Sequence, residues 1–499
     1  MRGRRGRHVH ILLVVALLVG GLALRLTAIS EPSIEQRETQ SALLARRMSL
    51  GNTETLSPWK QRVLDELSVV VKPIEPPVLD FLASVHYRIS GENFWFPRLL
   101  SSLAWVIGGV FLYLIGRRLT TSAGAIVALG LYLVWPFGVW LSRHFMPDAT
   151  MVAALLAAIL AVIRYWEQPT RARLVTAGVV SSVAAIVKPG VAAFYVVALF
   201  VAMAVSRREV GLMLRNGRLA LFIAMTAALP ALYYVYGTYL TDFIWSGADD
   251  GRLTPEAVAT RSFWADWWEA TSYLLRYPQT QGLLAVVPLI AGIAGFAVAA
   301  RGVPRAVLGG LSVGYLTFAL TIANYTSSNP YYSLPLIPIL SLSMGVLAGF
   351  ALGRLEPYGK RAVLPLVVVV AMVIATAAYK SHAVLSGTDT RAAVADYVRI
   401  GELTNHTTRA IVVDQELSTP VMYWGWIVGR IWEFPDGPLP DHLAEGNWDY
   451  LIVVGRSFLQ TSQGLRDFTR TLPIVAQNER YAIFDLSGRE LGEQASSRP

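Results

Sequence analysis

The sequence predicts a multi-pass α-helical membrane protein with about 11 transmembrane helices, a large first outer loop and a small C-terminal α/β domain outside the membrane. Three observations lead to this fold class. Of the 499 residues, 54% are hydrophobic and 15% are charged, and the mean hydropathy is +0.46. Many stretches long enough to cross a bilayer lack Asp, Glu, Lys and Arg. Residues 380–499 differ, because they combine the pattern of an amphipathic helix with the patterns of short β-strands. An ordinary soluble protein is therefore excluded.

The predicted crossings are the apolar stretches themselves, because a spanning segment must satisfy its backbone hydrogen bonds internally as a helix. The clear ones are 99–116, 119–142, 189–206, 219–241, 279–300, 362–379 and the run 306–353, which turn-forming residues at 324–330 divide into two. Three shorter stretches, 9–24, 149–163 and 174–187, are compatible with thin spans, tilted pieces or re-entrant segments, and are included in the count. The total is eleven crossings, within about two.

The distribution of charge orients these crossings. Lys and Arg total 43 against 34 Asp and Glu, giving a net charge of +9. Basic residues are concentrated at the N-terminus, read as an uncleaved anchor, and in alternate short loops, whereas the other short turns carry only Arg143 and Lys188. The positive-inside rule then predicts a cytoplasmic N-terminus and an extracytoplasmic C-terminal domain. It also explains the net charge without a nucleic-acid partner.

This threading defines the predicted domains. Residues 1–379 form a transmembrane domain with outer segments at 27–95 and 242–278, and residues 380–499 form an extracytoplasmic α/β domain. In that domain, 390–403 has the periodicity of an amphipathic helix, and the three predicted strands are 410–414, 450–454 and 481–485. The segment 242–278 carries four tryptophans on a predicted amphipathic helix: Trp245, Trp264, Trp267 and Trp268. Such tryptophans are typical of a membrane-interface belt and, as an alternative, of a substrate lid.

Several chemistries have no support in the sequence. There is no cysteine, which excludes a disulfide framework, a thiolate metal site and a catalytic thiol. The seven histidines have no metal-binding spacing, and no glycine-rich phosphate loop is present. A nucleotide is therefore disfavoured as the direct substrate. A divalent metal ion is compatible with the outer carboxylates, but no pattern fixes its ligands.

The first outer loop contains two candidate acids, Glu35 and Glu38. Glu38, Ala42 and Ala45 fall on one face of a predicted helix that begins soon after the first crossing. A carboxylate at this place could take a proton from a substrate hydroxyl. By itself, however, the stretch is more typical of a solvated helix with charge pairs four residues apart.

Three other turns on the same predicted face carry acids or cations. The proline-rich stretch 71–80 contains Lys72 and Glu75, and the turn 142–150 contains Arg143 and Asp148. Lys188 lies between two apolar runs, where it either extends to the interface or binds an anion. Each has a structural alternative, such as a helix cap for Asp148. Together, acids and cations at one face suit a lipid-borne phosphate substrate.

The order of short motifs along the chain resembles the polytopic GT-C glycosyltransferases. The motifs are Gly-Glu-Asn-Phe-Trp-Phe-Pro-Arg-Leu at 91–99, Gly-Arg-Arg-Leu at 116–119, Met-Pro-Asp at 146–148, Val-Lys-Pro at 187–189 and Tyr-Tyr-Ser-Leu-Pro-Leu-Ile-Pro at 331–338. The chain is most similar to bacterial relatives of dolichyl-phosphate-mannose protein mannosyltransferases and of lipid A aminoarabinose transferases. The resemblance covers nearly the whole chain.

The resemblance implies an inverting transferase that moves a sugar from a polyisoprenyl-phosphate donor to a cell-envelope glycan, lipid or protein acceptor. It also implies that transfer takes place on the outer face of a plasma membrane. Glu38 falls where the family has a first-loop acid, although Arg37 stands where an Asp usually precedes it. Glu38, Glu35 and Glu75 therefore all remain candidates for the base.

The remaining candidates are an acid that the family has in its second outer loop and the residues that bind the donor phosphate. By resemblance, Asp148 matches that acid, and Lys188, Tyr331 and Tyr332 match residues near the phosphate. Two further cations on the predicted outer face are expected to assist in phosphate binding, namely Arg143 and Lys72.

Two other functions are alternatives to a glycosyltransferase. A transporter or flippase of a lipid-linked sugar predicts pseudo-symmetric halves and ionisable residues in mid-membrane. The long predicted spans lack Asp, Glu, Lys and Arg, which favours the enzyme. A non-catalytic scaffold predicts that the candidate acids are dispensable.

Overall fold

The computed structural model describes residues 2–51, 56–73, 75–188, 190–241, 255–279, 283–387, 389–414, 418–433, 435, 439–455 and 457–487. The first helices in chain order are α1 (Arg2–Arg25), α2 (Gln36–Ser49), α3 (Pro58–Val70), α4 (Val78–Ser90), α5 (Trp95–Leu119), α6 (Ser122–Val134), α7 (Pro136–Ser142), α8 (Asp148–Glu167), α9 (Arg171–Val187), α10 (Val191–Ser206), α11 (Val210–Arg215) and α12 (Arg218–Tyr234), which continues as a π-helical turn, Val235–Leu240.

The later helices are α13 (Pro255–Val258), α14 (Arg261–Arg276), α15 (Leu283–Val298), α16 (Val303–Thr321), α17 (Ala323–Ser328), α18 (Leu336–Leu355), α19 (Lys360–Ser386), α20 (Arg391–Leu403), α21 (Thr419–Gly425), α22 (Asp441–Ala444), α23 (Ser457–Thr461) and α24 (Gln463–Thr469). Two short 3₁₀ turns, Pro330–Ser333 and Glu356–Tyr358, flank α18. The strands are β1 (Ala410–Val413), β2 (Gly429–Ile431), β3 (Tyr450–Val454), β4 (Ile474–Gln477) and β5 (Tyr481–Asp485).

The chain divides into two compact units. The first unit comprises Met1–Ile29, Ile74–Pro76 and Arg98–Thr388, and the second comprises Ser30–Pro73, Pro77–Pro97 and Asp389–Pro499. Most of the first outer loop thus forms one unit with the C-terminal part of the chain.

The first unit contains the apolar helices. Each of the eleven predicted crossings coincides with a helix or a pair of helices: α1, α5, α6 with α7, α8, α9, α10, α12, α15, α16, α18 and α19. Within the described residues, seven helices are long and apolar enough to cross a membrane, or eight if the bent pair α6 and α7 is one span. Val191–Ser206 and Ala285–Val298 are apolar but shorter. The helical membrane architecture is confirmed, and the number of crossings stays a prediction.

One predicted span is broken. The stretch 119–142 forms α6 and α7, which meet at an angle of 58°. Pro136 begins α7 and lacks the N–H that would continue the helix. The carbonyls freed at the break accept side-chain donors instead: Arg25 Nη1 lies 2.9 Å from Leu133 O and Ser381 Oγ lies 3.1 Å from Val134 O. Neighbouring helices therefore satisfy the polar backbone at the break.

Small residues allow a close crossing of α6 and α18. Gly124 of α6 faces Gly345 of α18, and a Cβ added at Gly124 would lie 2.4 Å from the carbonyl oxygen of Gly345. Any side chain at either position would force the two backbones apart. Close backbone packing of this kind replaces the hydrophobic effect as the driving force inside a membrane.

The second unit contains a five-stranded sheet with strand order β2-β1-β3-β5-β4. Strand β1 is parallel to β2 and β3, whereas β5 is antiparallel to β3 and β4. The three predicted strands are confirmed as β1, β3 and β5, which are adjacent in the middle of the sheet. The predicted amphipathic helix at 390–403 is confirmed as α20.

Within the second unit, α21 packs against α2 through specific hydrogen bonds. The Thr419 hydroxyl donates to Gln36 O at 2.8 Å, and its oxygen lies 2.8 Å from Thr39 Oγ1. Trp424 Nε1 donates to Ser33 O at 2.7 Å. Residues nearly 400 positions apart in sequence therefore fix the beginning of α2.

Candidate functional site

A buried ion pair lies at the centre of the candidate site in the first unit. Asp148 is the first residue of α8, and Lys188 directly follows α9. Lys188 Nζ donates to Asp148 Oδ1 at 2.7 Å, and the side chains of Asp148 and Lys188 are only 1% and 5% exposed. Oδ2 of Asp148 is buried without a hydrogen-bond partner among the described residues. The helix dipole at the start of α8 favours the charged carboxylate.

Two tyrosines complete the surroundings of Lys188. Its Nζ lies 4.5 Å from the ring centroid of Tyr331 and 4.5 Å from that of Tyr332. An ammonium over aromatic faces is stabilised by the ring quadrupoles, and more strongly where water is excluded. The short 3₁₀ turn at Pro330–Ser333 brings both rings to the same cation.

Glu75 also belongs to this first unit and acts electrostatically on the same cation. Burial by itself lowers the pKa of Lys188, but the charge of Asp148, together with Tyr332 and Glu75, raises that pKa above its ordinary value. Lys188 is therefore a charged ammonium. Contacts thus bring together four of the predicted site residues, and Glu75 influences the same cation through its charge. The four are Asp148, Lys188, Tyr331 and Tyr332.

Arg143 has a different environment from the one expected. It is buried, and its guanidinium donates to two backbone carbonyls after α1, with Nη1 2.6 Å from Thr27 O and Nη2 3.2 Å from Ala28 O. These contacts hold the turn between α7 and α8 against the end of α1.

The two acids of the first outer loop lie on α2, in the second unit. Glu35 is the N-cap of α2, and its Oε2 accepts the backbone N–H of Arg37 at 2.8 Å and of Glu38 at 3.1 Å. Glu38 is 0% exposed, as are Ala42 and Ala45. The helical face predicted from their spacing is thus the buried face of α2. The alternative of a solvated helix is wrong for this face.

Lys72 is the remaining predicted residue. It follows α3, is partly buried, and also belongs to the second unit.

A second buried charged cluster was not anticipated from the sequence. Arg46 Nη2 lies 2.8 Å from Glu92 Oε2, and its Nη1 donates to Tyr423 O at 2.7 Å. The guanidinium carbon lies 4.0 Å from the ring centroids of both Tyr423 and Trp426. Burial would lower the pKa of Arg46, but Glu92 and Tyr423 raise it above its ordinary value. The sequence does contain one signal for it, because Arg46 lies four residues after Ala42 and therefore on the same helical face as Glu38 and Ala42.

Replacing Arg46 with methionine is expected to lower the free energy for opening the second unit by about 3 kcal/mol. The expected loss lies at the low end for a buried pair because Glu92 is 27% exposed. Hydrogen exchange of α2 and α21 amides measures this. Arg399→Met is the matched control, because its pair with Glu402 is 59% and 54% exposed and should contribute less than about 0.5 kcal/mol. Unchanged amide exchange in Arg46→Met would contradict a stabilising role for Arg46 in the second unit.

Three of the four tryptophans of the predicted outer segment lie on α14, namely Trp264, Trp267 and Trp268. Trp264 and Trp268 are 47% and 40% exposed, whereas Trp267 contacts the ring of Tyr315. The opposite side of the helix is buried, so the amphipathic pattern is confirmed. Trp245 lies outside the described residues. The belt and the lid both stay open as predictions.

No group of three or more His, Asp or Glu side chains lies close enough together to hold a metal ion, as far as the described ranges extend. The described residues thus give no ligand set for the divalent metal ion.

Residues 74–234 match the family model of dolichyl-phosphate-mannose-protein mannosyltransferases. This region includes Glu75, Asp148 and Lys188. No protein with curated annotation matches this chain in sequence.

Solved structures with the same fold extend the comparison to the whole chain. ArnT from Cupriavidus metallidurans in the apo state has 14% identity to this chain and a TM-score of 0.60. The match covers 99% of this chain and 100% of the ArnT chain. The same protein bound to undecaprenyl phosphate has 15% identity and a TM-score of 0.58, with coverages of 96% and 99%. The oligosaccharyltransferase of Archaeoglobus fulgidus has 12% identity to this chain and a TM-score of 0.57. That match covers 89% of this chain and 68% of the oligosaccharyltransferase chain. Together with the apolar helices, the family match and these structures confirm the predicted resemblance: this is a membrane protein with the fold of the polytopic GT-C glycosyltransferases.

Proposed function

We propose that this chain is an inverting glycosyltransferase that moves a sugar from a polyisoprenyl-phosphate carrier to an acceptor hydroxyl on the outer face of the plasma membrane. The observation that carries the proposal is the buried Asp148–Lys188 pair under two tyrosine rings. The C-terminal unit would then be extracytoplasmic and the N-terminus cytoplasmic. The fold relative bound to undecaprenyl phosphate supports a polyprenyl-phosphate donor.

Lys188 is suited to bind the phosphate of the donor. An ammonium has three N–H donors, and Asp148 accepts only one of them. Charge-assisted hydrogen bonds to a phosphate are strong, and their effect increases where water is excluded. Because negative charge develops on the departing phosphate, a fixed cation there stabilises the transition state more than the ground state.

Asp148 and the tyrosines orient this cation. Asp148 is held at the first turn of α8 and fixes Lys188 through one short hydrogen bond. Tyr331 and Tyr332 enclose the ammonium without neutralising it. The cation therefore needs little rearrangement when phosphate binds, which is the condition for electrostatic catalysis.

We assign the base to Glu75. Of the four candidate acids, Asp148 already binds Lys188, Glu35 caps α2 and Glu38 is fully buried. Glu75 is partly exposed and acts electrostatically on the cation that binds the donor. It is therefore the carboxylate of this set that combines partial exposure with an electrostatic effect on Lys188.

The reaction is then a single displacement. The acceptor oxygen forms a bond to C1 of the sugar while its proton passes to Glu75. The bond between C1 and the phosphate oxygen breaks, and its electron pair leaves with polyprenyl phosphate, beside Lys188. The configuration at C1 is inverted, and the transition state has oxocarbenium character. The acceptor class is a cell-envelope glycan, lipid or protein.

A transfer assay with purified protein in lipid nanodiscs tests the proposal. A panel of labelled polyprenyl-phosphate sugars is offered with crude envelope acceptor, and Asp148→Asn is compared with the parent. We expect consumption of one donor and release of free polyprenyl phosphate by the parent, and at least tenfold less by the variant. If every donor stays intact while labelled lipid crosses the bilayer of proteoliposomes, the chain is a transporter.

A further inference from the structure

Two buried arginines donate to the few residues that follow α1, and a third lies at the end of that helix. Arg143 donates to Thr27 O and Ala28 O, and Arg98 Nη1 donates to Ile29 O at 3.0 Å. Arg25, the last residue of α1, reaches in the opposite direction. All three side chains are less than 10% exposed, with Arg25 at 0%.

Arg25 binds the segment that contains Arg143. Its Nε donates to Ser142 Oγ at 2.6 Å, and its Nη1 donates to Leu133 O at 2.9 Å. The guanidinium carbon lies 5.6 Å from the ring centroid of Trp105. No carboxylate among the described residues pairs with Arg25. A buried cation without a counter-charge is costly, and its carbonyl, hydroxyl and aromatic contacts offset part of that cost.

The contacts are reciprocal. Arg25 of α1 binds Ser142, and Arg143, which follows Ser142, binds the carbonyls of Thr27 and Ala28 just beyond α1. Ala28 has φ of +50°, a left-handed conformation that is unfavourable for alanine and that the forked guanidinium of Arg143 stabilises. We call this reciprocal arrangement the arginine clamp. It fixes the turn between α7 and α8, and that turn ends at Asp148.

We propose that Arg25 and Arg143 are positioning residues, which hold the α7–α8 turn so that Asp148 keeps Lys188 aligned with the donor phosphate. This inference rests on the proposed function. It gives Arg143 a role through the backbone in place of the direct phosphate contact that the sequence suggests. A displacement of about 1 Å in such a site can reduce turnover by about two orders of magnitude, so a rigid turn is functionally important.

The test compares Arg143→Lys with Arg143→Gln. Lysine keeps the positive charge but has no planar fork to bridge two carbonyls. The clamp therefore predicts that both variants lower kcat at least tenfold and that amide exchange across residues 142–150 rises in both. Arg118→Lys is the matched control, because Arg118 likewise donates to a backbone carbonyl, Leu114 O, but lies outside the clamp. We expect it to change neither quantity by more than about twofold.

Ser142→Ala is a milder variant that leaves every arginine in place. It removes the side-chain acceptor of Arg25 and is expected to raise exchange in the same turn severalfold.

Two results would overturn the clamp. In the first, Arg143→Lys keeps kcat within twofold of the parent while Arg143→Gln does not, since charge alone would then be sufficient. In the second, exchange across the turn is unchanged in all three clamp variants. If the parent transfers no sugar, the proposed function fails, but the exchange data still decide whether the clamp exists.

Discussion

Replacing Lys188 with methionine is expected to lower kcat for sugar transfer by about two to three orders of magnitude, the usual cost of removing one preorganised donor from a developing negative charge. The reason is the position of its Nζ, which is buried, charged and held 2.7 Å from Asp148 Oδ1. Steady-state release of polyprenyl phosphate measures the effect. A folded Lys188→Met protein with parental kcat would contradict the assignment of Lys188 to the phosphate.

A second variant separates chemistry from stability. Lys188→Met leaves the Asp148 carboxylate buried without its counter-charge, which costs about 3–5 kcal/mol. The double variant Lys188→Met with Asp148→Asn removes that charge, so we expect it to regain most of the lost stability. Transfer should stay at the level of the single variant. If the double variant regained transfer as well, the loss in Lys188→Met would have been caused by unfolding.

The second large effect is expected for Glu75. Glu75→Gln keeps the shape of the side chain but removes the proton acceptor, and general-base catalysis contributes about two to four orders of magnitude to kcat. The fall in parental activity towards acid pH should also disappear from the residual activity of the variant. The pH profile of kcat therefore distinguishes a base from a side chain with a structural role.

Matched variants of the other acids serve as controls for Glu75. Glu35→Gln weakens the cap of α2, at a cost of about 1 kcal/mol in stability, and should leave kcat within about threefold of the parent. Glu38→Gln changes a fully buried side chain and should act mainly on stability. An inactive but folded Glu38→Gln protein beside an active Glu75→Gln protein would transfer the role of base to Glu38.

Much of the fold could be predicted because the relevant signals are local. Apolar stretches and flanking arginines are properties of contiguous sequence, and each predicted crossing forms a helix or a pair of helices. The break at Pro136 was not predicted, because its cost is offset by Arg25 and Ser381, which are distant in sequence. Strands β2 and β4 were also missed. The former has three residues, and the latter pairs irregularly at the sheet edge, so neither has a clear alternating pattern.

The site was predictable only in part, for the same reason. Motif order indicated Asp148, Lys188 and the tyrosine pair separately, but their contact depends on tertiary packing across 40 residues or more. Arg143 shows the opposite case. A cation in an outer turn suggests an anion ligand, yet its donors reach backbone carbonyls of residues 27 and 28. Spacing in sequence does not contain that information.

The most direct test of the central claim is the stereochemistry and stoichiometry of one turnover. A donor labelled in both the sugar and the lipid is incubated with excess enzyme and acceptor in nanodiscs, and the products are analysed by mass spectrometry and NMR. We predict one polyprenyl phosphate released per sugar transferred, with the anomeric configuration inverted, and at least a hundredfold slower release from Lys188→Met with Asp148→Asn. Retention of configuration, or release at the parental rate from that double variant, would contradict a single displacement assisted by Lys188.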